Sequence, residues 1–118
     1  MINWSDEIER IFGGYLSEDK SQEWSRVKDQ LKQNEIVSGV VVAKAPFGLW
    51  VDIGVKFPAL IEVIVLSGVD YETYLDEKYF TVGSEVKAKI SGVRDDKRQI
   101  YLHQKDWPFK INKTLEDK

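Results

Sequence analysis

Pro46-Phe47-Gly48-Leu49-Trp50-Val51-Asp52-Ile53-Gly54 is the stretch on which the reading of this chain turns. Side chains of an extended strand alternate faces, so Leu49, Val51 and Ile53 share one side and Trp50 and Asp52 the other. An apolar triplet facing inward leaves Trp50 pointing towards water or a partner. Pro46 and Gly48 interrupt the regular backbone just ahead of the strand, which frees Phe47 from the inward parity it would otherwise share with Leu49. Two aromatics three residues apart on an outer surface form a platform on which bases can stack. The plain alternative is a hairpin whose aromatics pack under a neighbouring loop.

Downstream and upstream of this stretch the periodicity is also extended. Residues 36–44 are valine-rich with Gly39 inside, the mark of a sharp bend or a close backbone approach. A third strand is expected over residues 59–65. Residues 67–83 read as a connection carrying a short helix, with Tyr71, Tyr74 and Leu75 at helical spacing and Gly83 at its end. In residues 84–93, Val86, Ala88 and Ile90 alternate with Glu85, Lys87 and Lys89. Asp95-Asp96-Lys97 makes a hairpin turn into residues 99–103, where Ile100 and Leu102 face inward. Five short strands with a long connection between the third and fourth describe a mainly β protein: a five-stranded Greek-key barrel of the OB type.

Residues 2–34 follow a helical rhythm instead. Ser5 is placed to cap a first helix with Asp6 and Glu7 in its opening turn, where the dipole favours acids. Ile8, Ile11 and Phe12 form its apolar stripe, and Gly13-Gly14 ends it. A second helix is expected from Asp19, with Gln22 as its capping-box partner. Trp24, Val27 and Leu31 make its seam. So short a helical pair cannot bury a core alone, so residues 1–33 are expected to dock on the barrel of residues 34–104, with residues 105–118 as a tail.

With 118 residues, 42% apolar and 31% charged, the chain has the makings of one soluble globular domain. Seventeen basic and 20 acidic side chains give a net charge of −3, which excludes a generic polyanion binder. Residues 35–104 carry eight basic and ten acidic side chains, so the barrel is not basic on its own. Cysteine is absent, which is compatible with a reducing cytoplasm. Neither a leader nor a membrane-spanning run is read.

Residues 33–104 resemble the S1 RNA-binding domain. The likeness rests on Leu31-Lys32-Gln33-Asn34-Glu35-Ile36-Val37-Ser38-Gly39-Val40-Val41, on Phe47-Gly48-Leu49-Trp50-Val51-Asp52, on the run from Phe80 to Ile90, and on Gln99-Ile100-Tyr101-Leu102. Asn34 stands where glycine is usual, and asparagine tolerates the left-handed conformation best among other residues. The resemblance implies RNA contacts from Phe47 and Trp50, with Asp95 at the acidic position of the last hairpin. Glu62 occupies the family's histidine position and Gln99 its arginine position, two changes that weaken phosphate attraction. Lys97 and Arg98 adjoin Gln99, and Lys44 and Lys56 flank the expected groove. Ile64-Val65 replaces a polar pair, so this edge of the third strand needs cover. Trp24, Val27 and Leu31, or Trp107 and Phe109 of the tail, are the candidates, and an uncovered patch would mark a protein partner.

Chemistry of other kinds finds no constellation. His103 is the only histidine, there is no thiol, and no glycine-rich phosphate loop or nucleophile elbow is present, so no catalytic residue, metal or cofactor is expected. Asp95-Asp96 reads as turn chemistry, and Trp4, Trp24 and Trp107 as packing anchors. Two functions remain. The first is a non-enzymatic, weakly sequence-specific single-stranded RNA-binding module using Phe47, Trp50, Lys44, Asp95, Lys97, Arg98 and Gln99. The second is a protein-binding module, an inhibitor, immunity or assembly factor, engaging its partner through residues 64–66.

Overall fold

Five strands, β1 (Ile36–Ala45), β2 (Gly48–Asp52), β3 (Ala59–Glu62), β4 (Glu85–Arg94) and β5 (Gln99–His103), close in the order β1-β2-β3-β5-β4. This computed structural model describes residues 3–104. Every neighbouring pair is antiparallel except β3 and β5, which run parallel because the chain crosses the barrel end between β3 and β4. The expected Greek-key barrel is thus present. Its interior holds Leu49, Val51, Ile61, Val86, Ala88, Ile90, Ile100 and Leu102, all buried. Each large aliphatic side chain so buried contributes about 1.5–3 kcal/mol relative to exposure.

Two glycines are required by space. A Cβ on Gly39 would lie 2.4 Å from Val51 Cγ1, and one on Gly48 would lie 2.4 Å from the Ile61 carbonyl oxygen. Both positions mark close approach between neighbouring strands. Asn34, at the entrance to β1, adopts a φ of 68°, the left-handed conformation expected of it.

The register of β1 against β2 slips. Val41 pairs with Val51, but Ala43, not Val42, pairs with Trp50. A bulge of this kind reverses which residues face outward. Val41 therefore belongs to the interior, while Ala43 and Ala45 join Trp50 in a second apolar cluster outside the barrel.

Among the described residues, three α-helices accompany the barrel: α1 (Trp4–Ile11), α2 (Ser21–Gln30) and α3 (Tyr71–Leu75). Asn3 rather than Ser5 caps α1, its side-chain oxygen accepting from the Ser5 N–H at 2.8 Å. The capping box expected at Asp19 does not form. Residues 18–20 make a 3₁₀ turn, and α2 begins at Ser21 without a side-chain cap. Trp24 of α2 meets Phe57 edge-on at 5.0 Å, and Val27 and Leu31 pack against the interior cluster.

The third strand is shorter than its apolar run. It stops at Glu62, and Val63–Val65 form a 3₁₀ turn. Consecutive residues on so tight a turn point in different directions, so Leu66 is buried while Ile64 is 81% exposed. The expectation that the Trp24 seam covers this edge is corrected for Ile64, since that seam is committed to the barrel core. Trp107 and Phe109, the other candidates for cover, lie outside the described residues, as does the rest of the expected tail. Gln104 ties the turn back to the sheet: its N–H donates to Val65 O, its Oε1 accepts from the Ser67 N–H, and its Nε2 donates to Lys87 O.

Candidate nucleic-acid interface

The two aromatics singled out in the sequence lie side by side on the outside of the barrel. Phe47 sits on the tight connection between β1 and β2, where its carbonyl accepts from the Val63 N–H at 2.9 Å, and its side chain is 40% exposed. Trp50 projects from β2 away from the interior. The two ring centroids are 6.2 Å apart at 89°.

Trp50 nevertheless does not face water. It is only 3% exposed, because α1 lies over it. Trp4 stacks on Trp50 with centroids 5.6 Å apart and an interplanar angle of 18°, and meets Phe47 edge-on at 5.1 Å. Ile8 and Phe12 extend the contact onto Ala43, Ala45 and Leu60. The cause is mutual. An amphipathic helix needs an apolar seat, and the outward turn of two alanines after the bulge lets a helix approach closely. Among the described residues the Trp50 indole N–H finds no acceptor. A buried donor left this way costs about 1–3 kcal/mol.

The polar residues expected around the rings divide into two groups. Lys97 and Gln99 line a groove of about 690 Å3 bounded by α1, Phe47 and Trp50. Lys44, Asp95 and Arg98 have internal partners instead. After the bulge Lys44 turns inward, and its Nζ donates to the carbonyls of Asp76 and Tyr79 at 3.1 and 2.9 Å, 4.8 Å from the Tyr74 ring. Burial lowers its pKa, a shift opposed by Asp76 and Glu77. Asp95 accepts from the Trp24 indole at 2.9 Å and pairs with Lys28 at 2.8 Å, contacts that hold its carboxyl below the usual range. The Arg98 guanidinium donates to the carbonyls of Tyr15 and Ser17 at 3.0 and 2.7 Å. Lys56, also expected to flank the groove, lies 3.7 Å from Glu23. Asp96 turns to Arg94 at 3.0 Å, so the adjacent acids of the hairpin do not converge on one site.

The groove is acidic. Among the described residues, Asp6, Glu9, Glu62 and Asp96 line it against one cation, Lys97. Trp4, Tyr15 and Tyr101 complete its aromatic wall and were not among the sequence candidates. A signal for Trp4 was present: with Ile8, Ile11 and Phe12 it completes an i, i+4, i+7, i+8 stripe, wider than the three-residue stripe assigned to that helix.

Solved structures of similar fold include the uncharacterised protein MJ1198 of Methanocaldococcus jannaschii. It is 19% identical with a TM-score of 0.51, the match covering 63% of this chain and 92% of that one. GSP13 of Bacillus subtilis is 19% identical with a TM-score of 0.53, over 75% of this chain and 62% of that one. RNase R of Mycoplasma genitalium, solved in complex with ribose methylated single-stranded RNA, is 17% identical with a TM-score of 0.53, over 72% of this chain and 14% of the enzyme. No curated protein matches the chain. The family model described as S1 RNA binding domain matches residues 30–105, nearly two thirds of the sequence and the whole of the barrel. With the closed five-stranded barrel and its Phe47–Trp50 pair, that match makes the chain a member of the S1 RNA binding domain family.

Proposed function

We propose that the chain is a non-enzymatic module that binds single-stranded RNA with little sequence preference, stacking bases on Phe47 and, once Trp4 has lifted from it, on Trp50. The observation that carries this reading is the neighbouring setting of those two rings, 6.2 Å apart, on the outer face of a barrel of this family. Stacking tolerates any base because every base presents a π-face. Lys97, Gln99 and, once released from its carbonyl partners, Arg98 take phosphate oxygens and base edges. Lys44 and Asp95 drop out of the contact set, since both are engaged by partners within the chain. A net charge of −3 and an acidic groove make the expected affinity modest.

Titration of the intrinsic tryptophan fluorescence with oligouridine at low salt tests the proposal. Trp50→Ala is expected to weaken binding roughly 5- to 150-fold, the loss of one stacked base, with Phe47→Ala moving in the same direction. Equal binding by the parent and Trp50→Ala would reject base stacking at this position.

One observation favours a second reading. Asp6, Glu9, Glu62 and Asp96 around an aromatic wall suit a basic protein segment better than a phosphate chain. Under that reading a basic protein remains bound in stoichiometric amount after nuclease treatment, and oligouridine does not displace it.

A further inference from the structure

We infer that residues 4–17 are a built-in competitor for RNA, placing the Trp4 ring and two backbone carbonyls where a base and a phosphate would otherwise bind. The inference rests on the RNA-binding reading above and adds to it a closed and an open form of the same face.

Three observations converge on it. Trp4 lies on Trp50 at 5.6 Å and 18°, the parallel arrangement a stacked base would take, while its edge contact with Phe47 occupies the second ring. The Arg98 guanidinium, a cation beside the groove, is satisfied by the carbonyl oxygens of Tyr15 and Ser17 at 3.0 and 2.7 Å, so the same segment supplies acceptors where phosphate oxygens would sit. Asp6 and Glu9 of the same helix add negative charge along the groove. One continuous stretch of chain thus answers both halves of the expected contact set.

The cover can leave without dismantling the fold. Helix α1 is eight residues long and is followed by Gly13-Gly14, with Gly14 at a φ of +74°. Helix α2 is anchored separately, through the Trp24 contacts to Phe57 and Asp95. The closed form also leaves the Trp50 indole N–H without an acceptor among the described residues, a deficit that water or a ligand oxygen removes on opening. Since only the open form binds, the apparent dissociation constant is the intrinsic one divided by the open fraction.

The test compares the full chain with Trp4→Ser in oligouridine binding at low salt, with both proteins carrying 5-fluorotryptophan for fluorine NMR. Trp4→Ser is expected to bind more tightly, by at least about 2- to 12-fold, the worth of the Trp4–Trp50 stack alone. In the parent, the Trp4 fluorine resonance is expected to move to a solvent-exposed position as oligouridine saturates. Equal affinity for the two proteins, with the Trp4 resonance unmoved at saturation, overturns the competitor and leaves RNA binding intact. Failure of both folded proteins to bind overturns the RNA reading and the competitor with it. Ile8→Ser loosens the helix without touching the ring stack. It carries the same expectation and the same two refutations should Trp4→Ser lose the barrel's circular-dichroism signature.

Discussion

Tyr74 shows how much of this fold rests on single polar contacts. Its ring is fully buried between Tyr71 and Phe80, and its hydroxyl donates to the Ala45 carbonyl at 2.5 Å. Burial, with a smaller contribution from Tyr71, pushes its pKa well above the ordinary tyrosine value, so it keeps its proton across the working range. Tyr74→Phe removes that hydrogen bond without filling any space and is expected to cost about 0.5–1.5 kcal/mol in urea denaturation, with an unchanged m-value. Gly48 fails for a different reason. A methyl group there would sit 2.4 Å from the Ile61 oxygen and 2.9 Å from Glu62 Cα, both backbone atoms that cannot step aside. Gly48→Ala is therefore expected to part β2 from β3, lowering the unfolding free energy from urea denaturation by at least the ~1–3 kcal/mol of ordinary overpacking.

The docking of α2 has a titratable tether in Asp95. Hydrogen bonds from Lys28 and Trp24 depress its folded pKa, so its stabilisation is present above the unfolded aspartate value of about 3.9 and is lost as pH falls through the lower folded value. An acid titration followed by tryptophan fluorescence should show α2 loosening in that window in the parent, and a flatter profile in Asp95→Asn. The strands themselves were legible from sequence wherever alternation is a local property. Leu49 and Val51 face inward, as do Val86, Ala88 and Ile90, because one buried face fixes the register. The end of β3 was not legible, because Val63, Ile64 and Val65 carry strand propensity while the backbone turns there. The covering of Trp50 was not legible either. Alternation says which way a side chain leaves its strand, but a helix more than thirty residues earlier in the chain decides what lies above it. The paired alanines at 43 and 45, too small to fill a surface themselves, were the overlooked hint.

For the molecule as a whole, charge sets how RNA binding should respond to salt. With Lys97 and a released Arg98 as the cations of the proposed contact set, a log–log plot of affinity against salt is expected to have a slope of about −1.4, twice the single-strand value per phosphate. A slope several times steeper would mean that the contact lies on another surface. Closure of α1 is largely apolar and is screened far less, so added salt shifts the balance towards the closed form as well. The slipped register at Val42 has a consequence of its own. Val42 is the one residue of β1 left without a partner on β2 at that step, so deleting it would straighten the strand while Ala43, Lys44 and Ala45 kept their partners Trp50, Leu49 and Gly48 and hence their present faces. The leading helix would keep its alanine berth beside Trp50. The extra residue thus bends the wall on which the helix lies without choosing which side chains stand on it.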